Sequence, residues 1–332
     1  MTPTTRAVEY QAANQGAVLI DRDDRARLRI AGPDRAKFLH NLTTHDMKRL
    51  PAGEGREAFV TSPQGKTLGY VRILATDDSL WLLTDAAAVA SVLPHLQKYG
   101  VFDDVTIDDL SAETFEFHLA GPATDTLIGN LGGPSPSASE LDHSLVLIGG
   151  ASVRIARDSL TGRPGWTLIG ERADAALVSQ ALRDAAGSHA GLIDLGPEAF
   201  DALRIEGGFP IFGRDLTSEN LPQEVARDAT AISFVKGCYL GQETVARIDA
   251  LGHVNKLLRG LRFPGQSEPP EPGTPIEAEG KAIGKVTSAA YSPGWGCVVA
   301  LGYVRRSHAE AGTAVLARSD AVVCDLPMIP VA

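Results

Sequence analysis

Apolar and polar residues alternate through Leu28-Arg29-Ile30-Ala31, and the stretch ends at Gly32-Pro33 before the helix formers Asp34 to Leu39. The same order recurs at Phe117-His118-Leu119-Ala120, Gly121-Pro122 and Ala123 to Ile128. Each copy predicts a strand, a Gly-Pro turn and a helix, since alternation marks a half-buried strand and proline suits a first helical turn. Two related α+β units in the first two thirds of the chain follow from this repetition. Between the copies, residues 58–61, 67–75 and 80–84 predict strands, with Ser62 to Gly65 as a turn, and 85–99 predicts a helix.

Further on, 130–144 is rich in turn formers and predicts an exposed loop with little chemistry. Helical spacing returns at 173–186 and at 197–206, where Leu195-Gly196 precedes Pro197, and Gly207-Gly208 ends the second helix. Beyond Asn255 the texture changes to short strand-like runs at 257–263, 282–290, 297–304 and 314–324, broken by Gly, Pro and Ser. This predicts a small all-β domain, with the Pro-rich span 264–275 as a loop inside it.

At 332 residues, 44% hydrophobic and 22% charged, the chain is long enough for two or three globular domains. Its net charge of -10 argues against general nucleic-acid binding, which needs clustered Lys and Arg. One segment departs from the acidic average: between Lys236 and Arg262 five bases face two acids, a local +3 that attracts a small anion. Cys238, Cys297 and Cys324 are scattered and never form C-x-x-C, so neither a disulfide framework nor a metal site is predicted. With no long apolar run and no leader-like amino terminus, the expected location is the cytoplasm, away from membranes.

The densest chemistry lies in Lys236-Gly237-Cys238-Tyr239-Leu240-Gly241-Gln242-Glu243. Flanking glycines allow a sharp turn or close approach to a ligand, and a cation two residues away favours a thiolate at Cys238. Helical character from Gln242 to Asp249 places the thiol just ahead of a helix amino terminus, with Glu243 four residues before Arg247. The alternative is a buried Cys238 beside a plain Glu243–Arg247 pair. A second constellation is Arg204 to Leu216, where Glu206 sits at a helix end, an unfavourable place for a carboxylate that calls for a compensating partner. That partner is either a ring amide and amino group or a salt bridge to Arg204, Arg214 or another base.

Lys236 to Glu243, continuing through Arg247, resembles the K-G-C-Y-x-G-Q-E motif of the YgfZ family, a branch of the folate-binding superfamily that includes the glycine-cleavage T-protein. Leu203 to Leu216 resembles the superfamily's L-R-x-E-x-G-x-P stretch, and residues 28–46, 283–293 and 300–304 resemble its other segments. The resemblance implies an α+β, three-domain ring with two related α+β units and a carboxy-terminal β-barrel. It divides the chain into a discontinuous folate-binding domain (1–50 and 112–250), an inserted domain (51–111) and a barrel (251–332). It further implies tetrahydrofolate or a derivative as cofactor, Glu206 as the residue holding the pterin, and Lys236, Tyr239, Gln242, Glu243 and Arg247 around the motif thiol of Cys238. Its implied role is in assembly or repair of iron-sulfur proteins, with iron-sulfur enzymes or assembly factors as partners.

Two departures from T-proteins stand out. No carboxylate occurs in Gln64 to Arg72, where T-proteins carry the acid linked to aminomethyl transfer, and Thr161-Gly162-Arg163-Pro164-Gly165-Trp166 has Arg-Pro where they have acidic residues. The expectation is therefore a folate-binding accessory protein rather than an aminomethyltransferase of the T-protein kind. One-carbon transfer with displaced catalytic groups, or an interaction scaffold, are the alternatives.

Overall fold

The computed structural model describes residues 3–134 and 138–330. Helix α1 (Pro3–Gln15) leads into β1 (Val18–Asp21) and then into β2 (Arg25–Ala31) and α2 (Arg35–Leu42). Next come β3 (Gly55–Thr61), β4 (Thr67–Ala75), β5 (Ser79–Asp85), α3 (Ala86–Tyr99) and β6 (Thr106–Asp109). The second copy begins with β7 (Thr114–Ala120) and α4 (Thr124–Asn130), followed by β8 (His143–Ile148), β9 (Ala151–Arg157), β10 (Gly165–Glu171) and α5 (Ala175–Ala190). After β11 (Ile193–Asp194) come α6 (Pro197–Gly207), the single turn α7 (Asp228–Ala231) and α8 (Gln242–Leu251). The last third holds β12 (Lys256–Phe263), β13 (Pro275–Ala278), β14 (Lys281–Ser292), β15 (Cys297–Arg305), β16 (Ala314–Ala317) and β17 (Ser319–Cys324).

The repetition seen in the sequence is a repetition of topology. One sheet runs β3-β4-β5-β2-β6 and the other β11-β1-β7-β10-β9-β8, so β2-β5-β4-β3 and β7-β10-β9-β8 are the same four-strand arrangement. In each, a strand-turn-helix is followed by a three-strand meander whose last strand returns antiparallel to the first. Both turn glycines are required. Gly32 and Gly121 have φ of 109° and 120°, and an added Cβ would lie 2.3 Å and 2.4 Å from the carbonyl oxygens of Asp104 and Gly16.

Sheet membership cuts across the sequence-based division at residue 50. Strand β2 pairs with β5 and β6, so residues 25–31 build the sheet of the 51–111 unit, while β1 belongs to the other sheet. The six carboxy-terminal strands close into a barrel, β12-β15-β14-β13-β16-β17. A register shift in β14 between Val286 and Ser288 turns Thr287 and Ser288 toward Asp215, which accepts from both hydroxyls at 2.6 Å. Arg204 of α6, fully buried, donates to Asp215 at 2.8 Å and to Ser288 at 2.8 Å, and so pins the barrel to α6.

One predicted loop is partly buried. Leu141, only 2% exposed, meets Gly55 of β3 and donates its backbone N–H to Arg157, and His143 donates to the carbonyl of Gly53. Turn-forming composition there concealed an anchored stretch that joins the two units; residues 135–137 of that loop lie outside the described residues.

Candidate functional site

The cysteine motif sits on a turn held from below by its own lysine. Lys236 is buried, and its ammonium donates to the carbonyls of His40 and Thr43 at 2.6 Å and of His45 at 2.9 Å, capping the end of α2. Burial pushes that ammonium down to about 7, with the Asp46 charge acting in the opposite sense and the Lys48 charge adding to the drop. The ammonium lies 4.6 Å from the ring centroid of buried Tyr239. Gly241, at φ 84°, packs where a Cβ would lie 2.4 Å from the carbonyl of Ser62, locking the motif onto the β3–β4 turn. Gln242 accepts from the backbone N–H of Tyr239.

The residues around Cys238 therefore divide. Lys236 and Tyr239 are scaffold, and Gln242 holds the turn. Cys238, Glu243 and Arg247 face solvent, and the ion pairs among the described residues do not include Glu243 with Arg247. The expected cation beside the thiol is spent on backbone carbonyls. Cys297 is buried and Cys324 half-buried, each a free thiol, and burial pushes both upward.

Glu206 has the compensating partner that its position at a helix end demanded. It is fully buried, accepting from Arg163 at 2.5 Å, from the Tyr10 hydroxyl at 2.9 Å and 3.0 Å, and from Ser292 at 2.5 Å. The partner is "another base": Arg204 turns instead to Asp201 and Asp215, and Arg214 to Asp201. Arg163 is the residue marked as a departure in the sequence, so two unusual positions satisfy each other. With its oxygens filled from α1, the β9–β10 loop and the barrel, Glu206 can reach a ring only if Arg163 or Tyr10 moves. Burial, then the Glu206 charge, push Tyr10 up to about 12, so its hydroxyl remains a donor.

A cavity of about 390 Å³ opens where the three parts of the molecule meet. Its apolar wall is Leu141, Phe209, Pro327 and Ile329, and its polar wall includes Glu57, Glu140, Ser159, Arg227 and Thr230. Phe209 lies 4.8 Å and 4.7 Å from the guanidinium carbons of Arg72 and Arg227. Glu57 accepts from Arg227 at 2.5 Å and 2.7 Å and from Thr230 at 2.5 Å. Burial raises the Glu57 carboxyl, but the charges of Arg227 and Arg72 and those hydrogen bonds outweigh it and bring it down to about 2. Glu140, which accepts from the backbone and hydroxyl of Ser159, is pushed upward by burial and by Asp158. None of the motif residues Lys236 to Arg247 lines this cavity.

Sequence reasoning missed Glu57, Phe209, Arg227 and Glu140 as a group, because they come from four separated segments with no motif spacing. Position 69, in the stretch lacking a carboxylate, also has a packing reason: a Cβ on Gly69 would lie 2.5 Å from Val92. No helix among the described residues is long and apolar enough to cross a membrane.

Residues 3–233 match the GCVT N-terminal domain, and residues 256–329 match the glycine cleavage T-protein C-terminal barrel domain. A putative chloroplast transferase of Arabidopsis thaliana is 30% identical over 96% of this chain and 72% of its own. An aminomethyltransferase of Streptomyces avermitilis is 28% identical, over 92% and 83% of the two chains. Among solved structures, the glycine cleavage system aminomethyltransferase T of Bartonella henselae shares the fold, with a TM-score of 0.87, 21% identity and coverage of 99% and 91%. The two domain matches account for both sheets and the barrel, and the chain belongs to the glycine-cleavage T-protein (GCVT) family.

Proposed function

We propose that the protein binds tetrahydrofolate or a derivative in the cavity between its three parts and acts as an accessory protein for iron-sulfur enzymes, as the YgfZ branch does. The observation that carries the folate reading is the cavity itself. Its volume lies in the range of small-molecule sites. Phe209 and its apolar neighbours offer a slot for a flat ring, while Glu57 and Glu140 supply acceptor oxygens and Arg227 supplies a donor. The Arg227 Nε is buried without a hydrogen-bond partner, a donor free for a polar ring edge. These groups fit a pterin, whose edge alternates donors and acceptors. In this reading Glu206 braces the cavity floor through Arg163 and Tyr10 and does not touch the ring.

The accessory role rests on the eight-residue motif and on the exposure of Cys238, which places a thiol within reach of a client protein. Titration calorimetry with tetrahydrofolate tests the first half: Phe209→Ala should weaken binding by at least about tenfold, the equivalent of 1.4 kcal/mol. Complementation by Cys238→Ala in a strain lacking its own factor tests the second half. Absence of binding to any reduced folate, together with full complementation by Cys238→Ala, would sink the proposal.

The family's aminomethyltransferases favour a second reading, folate-dependent one-carbon transfer. Formation of methylene-tetrahydrofolate from an aminomethyl donor, with turnover indifferent to Cys238→Ala, would establish that reading in place of the first.

A further inference from the structure

On another face, the loop and turn that carry Gln223 and Asp228, the carboxy-terminal end of α8 and the start of β12 enclose a cavity of about 340 Å³. We propose that this cavity is a binding site for a primary alkylammonium group, with Gln223, Asp228 and Asp249 as its acceptors.

Gln223 carries the argument. Its side chain is 95% buried, and its Nε2 donates to the carbonyl of Val245 at 2.8 Å, which fixes the orientation of the amide. The Oε1 is then an acceptor by assignment, and it is left without a partner in the cavity wall. Asp228 Oδ1, in the same wall, is also buried without a partner. An unsatisfied buried acceptor costs about 1–3 kcal/mol, so two on one cavity call for a donor from outside.

The remaining lining selects the donor. Asp249 adds a second carboxylate, and Ile248, Val254 and Leu257 form an apolar surface beside it. An ammonium offers three donors to the three acceptors, and its alkyl chain would cover the apolar residues. The basic side chains in the lining are Arg306, which is exposed, and His253. Burial, then the Asp249 charge, push Asp228 up to about 6, a cost that a cation between the two carboxylates relieves. A bare metal ion fits less well, because no three His, Cys, Asp or Glu side chains among the described residues are gathered to hold one.

Fluorine NMR on the full chain tests the assignment, with 4,4,4-trifluorobutylammonium as probe and 4,4,4-trifluorobutanol as its uncharged counterpart. The amine should bind saturably and about tenfold or more tighter than the alcohol. Asp228→Asn and Gln223→Met should each weaken the amine by about tenfold, with a cooperative unfolding transition above the assay temperature showing that the fold is intact. Should either variant fail to fold, Asp249→Asn, at an exposed position on α8, carries the same expectation. Equal binding of amine and alcohol, no saturable amine binding, or binding unaffected in the folded variants would overturn the proposal. None of these outcomes depends on folate.

Discussion

Replacing Arg163 by methionine removes the guanidinium on Glu206 and leaves a fully buried carboxylate with the hydroxyl donors Tyr10 and Ser292. Arg163 also donates to the Thr161 carbonyl at 2.9 Å and to Asn14 at 3.1 Å, so the substitution also unlatches α1 from the β9–β10 loop. Breaking a buried pair by removing one partner costs about 3–5 kcal/mol, because the stranded charge keeps its desolvation penalty without its compensation. At roughly 2–4 °C per kcal/mol for a unit of this size, the melting temperature should drop by on the order of 10 °C.

The companion variants make the test specific. Glu206→Gln keeps the shape but strands the Arg163 charge, and it should cost a comparable amount. In the double variant, methionine faces a neutral amide that still accepts from Tyr10 and Ser292, so the two losses should not add. A double-mutant cycle by chemical denaturation should give a coupling of about 2–3 kcal/mol between the positions. Loss of less than about 1 kcal/mol in Arg163→Met, or additivity in the cycle, would refute the claim that the pair is a compensated buried charge.

Lys236→Met should cost about 3 kcal/mol by denaturant unfolding, because three carbonyls at the end of α2 lose their donor, whereas Cys238→Ala at an exposed position should stay within about 0.5 kcal/mol. Glu57, held at about 2 in the folded protein against 4.5 as its ordinary value, contributes stability that is present above pH 4.5 and lost as pH falls toward 2. That contribution is on the order of 3 kcal/mol, and unfolding midpoints measured against pH should fall less steeply across this window in Glu57→Gln. Gly121→Ala should cost more than about 3 kcal/mol, since strain at φ 120° adds to a Cβ 2.4 Å from a carbonyl oxygen. Gly132→Ala, at φ 76° in open space, should cost only about 1 kcal/mol by the same measurement.

What the sequence disclosed depended on the range of the interaction. Strand alternation and the Gly-Pro turns are local, and they located β2, α2, β7 and α4 as well as the strands of the barrel. The dipole argument at Glu206 was local too, and it required a partner without naming one. The partners lie 43, 86 and 196 positions away, so no window along the chain could bring Arg163, Ser292 and Tyr10 together. The reverse happened at the cysteine motif, where a local cluster of reactive types suggested one site. Folding separates it, turning Lys236 inward to the carbonyls of α2 and leaving Cys238 in solvent. Leu141 and Glu140 stayed hidden for a third reason: turn-forming composition reports on backbone shape, and burial there is imposed by β3 and β9 packing around it.

The Arg163–Glu206 pair bears on the choice between readings of this family member. Taken singly along the chain, a basic residue at 163 and a carboxylate at 206 look like one position altered and one preserved. In space they are an ion pair, and a carboxylate whose oxygens are occupied by Arg163, Tyr10 and Ser292 is open to a ring amide and amino group only if one of those partners moves. In the folate proposal, recognition then falls to the carboxylates that line the open cavity, Glu57 and Glu140. The same logic separates binding from chemistry. Position 69 carries no acid, and the exposed thiol lies off the cavity, so in the folate proposal the lining residues are read first as a binding site.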